Sequence, residues 1–188
     1  MIVPTLLRRE RSHLVVVDLQ ERLLPAIHAG EAALRRACIL VEAAGRLDVS
    51  VTVTEQYPRG LGPSVAPLRD VLPAAARMVE KITFAATGAP DFAARVAGLR
   101  ASGRDQVVVC GTEAHVCVLQ TALGLLASGL AVFVAADAIG SRAPESVATA
   151  MTRLVQAGCV AVTTEMVVFE WLERAGTDTF RGVSALIK

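Results

Sequence analysis

The stretch VVVCGTEAHVCVLQTAL, residues 107–123, joins a valine-rich apolar run to a segment of helical period through a turn that begins with glycine. Short apolar runs of this kind are typical of strands buried on both faces of a parallel sheet. Similar runs recur along the chain, and segments rich in alanine, leucine and arginine lie between them. The repeated order of strand and helix predicts an α/β domain with a mainly parallel sheet.

The same pattern sets the bounds of the predicted elements. Strands are predicted at residues 13–18, 49–55, 106–111, 131–136 and 160–163. Helices are predicted at residues 32–47, 90–102, 114–128, 144–157 and 165–175. Residues 56–89 are predicted to be irregular, although ARMVEKITFAAT leaves room for one more short strand. No linker or repeat interrupts the chain, so residues 1–188 are predicted to form a single domain.

Composition excludes several classes of protein. Hydrophobic residues make up 53% of the chain, which favours a packed core over disorder. The 19 Lys and Arg residues nearly balance the 18 Asp and Glu residues, so no surface for nucleic acid or an anionic membrane is indicated. No apolar run reaches the roughly 18 residues of a membrane span, and the first residues lack a secretory signal. We therefore expect a cytoplasmic protein that acts on a small molecule.

Metal ions, disulfides and cofactors are not indicated by the sequence. The four cysteines, Cys38, Cys110, Cys117 and Cys159, form no CxxC motif. The three histidines lack metal-ligand spacing with another His, Cys or Asp. We therefore expect no metal site, no disulfide framework and no cofactor.

Polar residues follow the predicted strands, at the edge where open α/β sheets bind ligands. Asp18 ends the first strand, Lys81 lies in EKITF, and the turn GTEAHVC follows VVVC. If these ends share one crevice, Asp18 is a candidate base, Lys81 a cation that lowers the pKa of a thiol, and Cys117 a nucleophile. Asp18 could equally cap the segment that follows it, and Lys81 could be a solvated surface lysine.

The two cysteines of the opening stretch differ in their predicted surroundings. Cys117 lies in the first turns of a helix, where free N–H groups and the helix dipole favour a thiolate and can bind an oxyanion. Cys110 lies within the apolar run, where burial raises the pKa of a thiol. We therefore assign chemistry to Cys117 and a core position to Cys110, although a lone cysteine in an apolar helix can also be an inert small hydrophobe.

Several side chains near this crevice are candidates for a substrate pocket. Gln56 and Tyr57 follow the second strand, and Phe84 follows the EK motif. Tyr57 could also be a simple turn residue. His115 lies two residues before the candidate nucleophile, and residues two apart on a helix point to different sides. We therefore place His115 at the edge of the pocket and not in a Cys–His dyad.

Three stretches together resemble the isochorismatase-like cysteine hydrolase family. They are VVVDLQERLLPAI, EKITFAA and VVVCGTEAHVCVLQTALGLLASGLAVFVAADAIGSR, and they occur in the order of the family. The last stretch is long and specific, whereas the first two would be weak alone. TEQYPRGLGPSV is further similar to the small single-domain isochorismatase-domain hydrolases.

The resemblance implies a Rossmann-like three-layer α/β/α sandwich and a catalytic triad, here Cys117, Asp18 and Lys81. It implies a cis peptide bond between Thr112 and Glu113, whose use would be to aim the Glu113 amide, with that of Cys117, at one oxyanion. It also favours a homo-oligomer. The segment after VTVTEQ contains no histidine, which departs from the metal site of nicotinamidase-like family members.

These observations predict a cysteine hydrolase that cleaves a small amide-like substrate, at a C–N bond other than a peptide bond, through a thioester acyl-enzyme. A vinyl-ether hydrolase would instead use Asp18 as an acid and would tolerate Cys117→Ser. A redox protein with a reactive Cys117 would need a resolving thiol, for which Cys110 is only a buried candidate. A non-catalytic assembly protein with the same fold is a further alternative.

Overall fold

The structure of the protein is a computed structural model that describes residues 6–187. Its strands are β1 (Ser12–Val17), β2 (Ser50–Gln56), β3 (Arg77–Lys81), β4 (Gln106–Thr112), β5 (Ala131–Gly140) and β6 (Val160–Val162). They form one six-stranded sheet in the order β3-β2-β1-β4-β5-β6, and every pair of neighbours is parallel. The chain moves outward from β1 to β3 on one side and from β4 to β6 on the other. The strand order therefore reverses between β1 and β4, which is where such sheets bind ligands.

Helices cover both faces of this sheet. They are α1 (Gly30–Arg46), α2 (Pro58–Leu61), α3 (Ala66–Asp70), α4 (Pro90–Ala101), α5 (Leu119–Ala127), α6 (Pro144–Ala157), α7 (Thr164–Leu172) and α8 (Asp178–Ser184). Short 3-10 turns lie at Arg9–Arg11, Leu24–Ala26 and Ala86–Gly88, and a π-helical turn at Ala114–Val118 leads into α5. No helix within residues 6–187 is long and apolar enough to cross a membrane.

The valine-rich strands have apolar residues on both faces because both faces are covered. In β1, Leu14 and Val16 point into the core formed with α1, α3, α7 and α8. Val15 and Val17 point into the core formed with α4, α5 and α6. The structure therefore confirms the predicted three-layer α/β/α sandwich, with a sheet that is entirely parallel.

Several elements differ from their predicted form. The short helices α2 and α3 lie within residues 56–89, which were predicted to be irregular, and α8 lies beyond the last predicted helix. The short strand that the sequence left open is present as β3, at the edge of the sheet next to β2. β5 continues to Gly140 because it pairs again with β4 after a register shift between Val109 and Gly111. The helix predicted from residue 114 begins as a π-helical turn and becomes α-helical only at Leu119.

Candidate active site

Asp18 lies directly beyond β1, at the edge where the strand order reverses. Its backbone has a positive φ of 49°. The Asp18 N–H donates to the carbonyl of Thr54 at 3.1 Å, and the Asp18 carbonyl accepts from the Thr112 hydroxyl at 2.7 Å. These bonds join β1 to the ends of β2 and β4. The Asp18 side chain is therefore fixed in position and fully buried.

Lys81 is the last residue of β3, and its side chain spans β2 to reach Asp18. The Lys81 Nζ lies 2.7 Å from Asp18 Oδ2, and neither side chain has any exposed surface. The second carboxylate oxygen, Oδ1, accepts from the Thr54 hydroxyl at 2.7 Å. Burial raises the pKa of Asp18, and the Lys81 charge and these two hydrogen bonds only partly oppose it. Asp18 is therefore a stronger base than an exposed aspartate.

Cys117 lies in the π-helical turn that follows β4 and is only 4% exposed. Burial raises the pKa of its thiol to about 12, and the Asp18 carboxylate adds to this effect through charge and hydrogen bonding. Lys81 acts in the opposite direction through the same two effects. The sequence predicted a cation that lowers the thiol pKa, and Lys81 does so, but burial and Asp18 outweigh it. At rest Cys117 is therefore a thiol beside a carboxylate.

Cys110 lies on the other face of the sheet. Its side chain is fully buried in the core beneath α1 and α7, whereas Cys117 packs in the core beneath α4 and α5. Burial raises the pKa of the Cys110 thiol strongly. This placement agrees with the core position predicted for Cys110, and it leaves the sheet between the two thiols.

The turn between β4 and Cys117 contains a cis peptide bond between Thr112 and Glu113, at the position that the resemblance implies. Glu113 immediately precedes the π-helical turn. Its carboxylate accepts a hydrogen bond from Arg142 Nε at 2.8 Å, and that arginine is exposed. The Glu113 side chain is therefore held on the rim of the site and does not reach toward the buried carboxylate.

The predicted pocket residues have different surroundings. Gln56 is nearly buried; its Oε1 accepts from Lys81 Nζ at 2.7 Å and its Nε2 donates to the Ile82 carbonyl at 2.7 Å. Tyr57 and Phe84 expose 52% and 55% of their surface, and the Phe84 carbonyl lies 3.3 Å from Lys81 Nζ.

The Nδ1 of His115 lies 2.9 Å from the Ser141 hydroxyl oxygen. The Gln56 side chain and the Phe84 carbonyl thus both contact Lys81, whereas within residues 6–187 the side chains of Tyr57 and His115 form no hydrogen bond with Asp18, Lys81 or Cys117.

Two supporting side chains were not singled out from the sequence. The Thr54 hydroxyl donates a hydrogen bond to Asp18. The side-chain amide of the buried Gln20 forms two hydrogen bonds with the backbone of Gln56. The Gln20 Oε1 accepts from the Gln56 N–H at 2.8 Å, and its Nε2 donates to the Gln56 carbonyl at 3.0 Å. The sequence held a signal for Gln20, because it follows Asp18 by two residues at the end of an apolar strand.

Within residues 6–187, no group of three or more His, Cys, Asp or Glu side chains is arranged to hold a metal ion. What the arrangement offers is a thiol, a carboxylate and an ammonium group, all shielded from water, next to the backbone amides of a turn. A carboxylate so placed can take a proton from the thiol, and the ammonium can stabilise the resulting negative charge.

Comparisons with known proteins identify the family of the chain. The family model described as isochorismatase domain matches residues 12–166. The isochorismatase domain-containing protein 2A of Mus musculus is 34% identical over 182 residues, which cover 95% of this chain and 84% of that protein.

Solved structures share the fold of this chain. The structure described as the MAR1 ribonuclease of Caenorhabditis elegans superimposes with a TM-score of 0.91 at 32% identity, over 97% of this chain and 92% of that one. The YcaC gene product of Escherichia coli, described as an octameric hydrolase of unknown specificity, shares the fold with a TM-score of 0.84 at 24% identity, over 100% of this chain and 89% of that one. On the strength of the family model and the mouse relative, the chain belongs to the isochorismatase domain family.

Proposed function

We propose that this isochorismatase-family hydrolase is a cysteine amidase that acts on a small amide-like substrate with a triad of Cys117, Asp18 and Lys81. The observation that carries the proposal is the buried Asp18 carboxylate, which is hydrogen-bonded to Lys81 and interacts with the Cys117 thiol. A small substrate is supported by the enclosure of these three side chains, since only 4% of the Cys117 surface is exposed.

The first half of the reaction forms a thioester. Asp18 accepts the thiol proton as the sulfur of Cys117 attacks the substrate carbonyl, so that a free thiolate is not needed at rest. The negative charge passes from Asp18 through the sulfur to the substrate oxygen; the Lys81 ammonium stabilises it on the sulfur, and the amides of Glu113 and Cys117 bind the resulting oxyanion. When the C–N bond breaks, Asp18 returns the proton to the departing amine.

The second half of the reaction frees the enzyme. Asp18, again a carboxylate, takes a proton from a water molecule that attacks the thioester carbonyl. The tetrahedral intermediate uses the same oxyanion site, and the sulfur leaves as the proton passes back to Cys117. The products are a carboxylic acid and an amine or ammonia.

The test is a panel of small amides and esters incubated with the wild-type protein and with Cys117→Ala. We expect turnover and an acyl adduct on Cys117, detected by mass spectrometry, in the wild-type protein and neither in the variant. Cys110→Ala is the matched control, because it removes a thiol on the far face of the sheet, and it should keep its activity. Full activity of Cys117→Ala would refute the proposal.

A vinyl-ether hydrolase is the second candidate, because the raised pKa of Asp18 also suits an acid. An enzyme of this kind should cleave a vinyl ether, and Cys117→Ser should leave its rate nearly unchanged, whereas an amidase with the serine variant should lose most of its activity. An RNA oligonucleotide belongs in the same panel, because the Caenorhabditis elegans relative is described as a ribonuclease.

A homo-oligomer is also proposed. The support is the similarity in fold to the YcaC gene product, which is described as octameric. Light scattering after size-exclusion chromatography tests it, since a protomer of 19.7 kDa is easily told from its multiples. A single species with the mass of one protomer at all concentrations would contradict this part of the proposal.

A further inference from the structure

A second cleft lies at the amino end of the sheet, far from Cys117. It is bounded by the end of α1, the start of β2 and the loop before β3, and its volume is about 460 Å³. Ligand pockets of small molecules span roughly 300 to 1,000 Å³, so its size suits such a ligand. Because the seven residues of β2 separate the two ends of the sheet, the cleft lies about 20 Å from the catalytic edge.

Two arginines line this cleft without a protein partner among residues 6–187. Arg77 begins β3 and is exposed, and Arg95 projects from α4. Neither forms an ion pair or a side-chain hydrogen bond with the part of the chain that the structure describes, and the Nε of Arg95 is buried with no acceptor. A buried N–H without an acceptor among the described residues is costly, and two guanidinium groups without a counter-charge attract negative charge, so this arrangement favours an anion.

A third arginine increases the positive charge at the cleft. Burial, together with the nearby charges of Arg77 and Arg104, lowers the Arg95 pKa, so Arg104 lies close to Arg95. The N–H groups of Arg104 are already used, since they donate to the carbonyls of Ser12 at 2.8 Å and Asp48 at 3.0 Å. Its charge therefore acts on the cleft while Arg77 and Arg95 keep their donors for a ligand.

Opposing charge in the cleft is small. Asp48 is the carboxylate among the lining residues of the described chain, and it makes no ion pair there. Three guanidinium groups against one carboxylate leave an excess of two positive charges. A phosphate monoester carries −1.5 to −2 near neutral pH and matches this excess better than a single carboxylate does. Its oxygens also fit the planar fork of donors that arginine presents.

We propose that this cleft is a binding site for the phosphate group of a small molecule, held by Arg77 and Arg95. The site is separate from the catalytic edge and does not depend on the reaction proposed there. Either a free phosphate ion or an organic phosphate supplies the required chemistry. The apolar side of the cleft, which includes Pro73, offers a surface for an organic part.

Isothermal titration calorimetry on the full chain, at an ionic strength held constant with sodium chloride, tests the proposal with inorganic phosphate and phenyl phosphate. We expect both to bind the wild-type protein. Tighter binding of phenyl phosphate would identify an organic phosphate as the ligand, and equal binding would identify inorganic phosphate; both results support the site.

Single substitutions test whether phosphate binds in this cleft. Arg77→Gln and Arg95→Gln should each weaken phosphate binding by about tenfold or more, since each removes a charged donor. Asp48→Asn should tighten it, because a repelling charge is lost while asparagine tolerates the positive φ of 56° at this position. Arg153→Gln is the matched control, since Arg153 is an exposed residue of α6, and it should bind phosphate as the wild-type protein does.

The proposal is overturned if the wild-type protein shows no binding at millimolar phosphate. It is equally overturned if Arg77→Gln and Arg153→Gln bind alike, or if Arg142→Gln at the catalytic edge abolishes binding instead. Should Arg95→Gln fail to fold, the exposed Arg77 decides the outcome, because its substitution leaves the core intact.

Discussion

Two neighbouring charges, those of Asp18 and Lys81, shift the pKa of the Cys117 thiol in opposite directions. Removal of the Asp18 charge therefore gives a testable prediction. Asp18 raises the thiol pKa and Lys81 lowers it. In Asp18→Asn only the lowering charge remains, so the pKa falls and each unit of decrease gives about ten times more thiolate at pH 8. We expect faster alkylation of Cys117 by iodoacetamide in this variant, measured by mass spectrometry, together with a loss of kcat of about 10²-fold or more.

Cys38 provides an internal control for this experiment. It is partly exposed on α1, and burial, with a contribution from Glu42, raises its pKa to about 11. Because it lies away from Asp18, its alkylation rate should be the same in both proteins. Slower alkylation of Cys117 in Asp18→Asn would mean that Asp18 activates the resting thiol, contrary to the charges described above.

Gln56 gives a second prediction at this scale. The sequence placed it in a substrate pocket, whereas its side-chain oxygen holds Lys81 at 2.7 Å. Gln56→Leu removes this acceptor and lets Lys81 move, and a displacement of about 1 Å can cost on the order of 100-fold in rate. We expect kcat to fall by roughly tenfold to 100-fold while KM changes little, as measured by steady-state kinetics.

Gln156→Leu is the matched control for this substitution, because Gln156 is exposed on α6, and its kinetics should be those of the wild-type protein. A rise in KM at constant kcat in Gln56→Leu would instead support the substrate contact that the sequence suggested.

At the scale of elements, the passage from β4 into the catalytic turn depends on Gly111. Its φ is +112°, and a Cβ added there would overlap the backbone of Val17 on β1. Both effects oppose any other residue, so Gly111→Ala should lower the free energy of unfolding by about 3 kcal/mol or more in urea denaturation.

Gly98→Ala is the control for this prediction. Gly98 lies within α4, and an added Cβ meets nothing within 4 Å. Alanine is the better helix former by about 0.5–1 kcal/mol, so this variant should be more stable than the wild-type protein. Equal changes in the two variants would contradict the special role given to the strand end.

The sequence predicted the central strands well and the edge strand poorly. β1, β2 and β4 were placed to within one or two residues because they are buried on both faces and so consist of apolar runs. β3 was left open because, as an edge strand, it exposes Arg77, Met78 and Glu80 and has no apolar run to mark it. The π-helical turn before α5 was missed, since its period is too close to that of an α-helix to be read from five residues.

The sequence predicted only part of the candidate site, because the contacts in it depend on the order of the strands in the sheet. Asp18 and Cys117 follow strands that the pattern identifies, and neighbouring carboxyl ends explain their proximity. Lys81 comes from an edge strand two positions away from β1, so its contact with Asp18 depends on strand order, which no local pattern encodes. The role of Gln56 in holding Lys81 depends on a side-chain conformation and could not have been predicted.

For the whole molecule, the pH dependence of folding is set in part by a buried histidine. His13 is 1% exposed in β1, and its Nε2 lies 2.8 Å from the Thr52 hydroxyl oxygen. Burial, with the nearby charges of Arg95 and Arg104, lowers its pKa from 6.5 to about 3. Between these values the unfolded chain binds a proton that the folded chain does not, so stability falls as the pH is lowered below 6.5.

The lowered pKa of His13 predicts a pH dependence of the unfolding free energy that His13→Gln should reduce. From the lowered pKa of His13, the wild-type protein should lose about 2 kcal/mol of unfolding free energy to this residue between neutral pH and pH 5. His13→Gln has no group that titrates there, so its stability should fall less by about that amount. Asp18, whose pKa is raised, is present in both proteins and cancels in the comparison. Urea denaturation at several pH values measures the slopes, and parallel curves would show that the pKa of His13 is not lowered by folding.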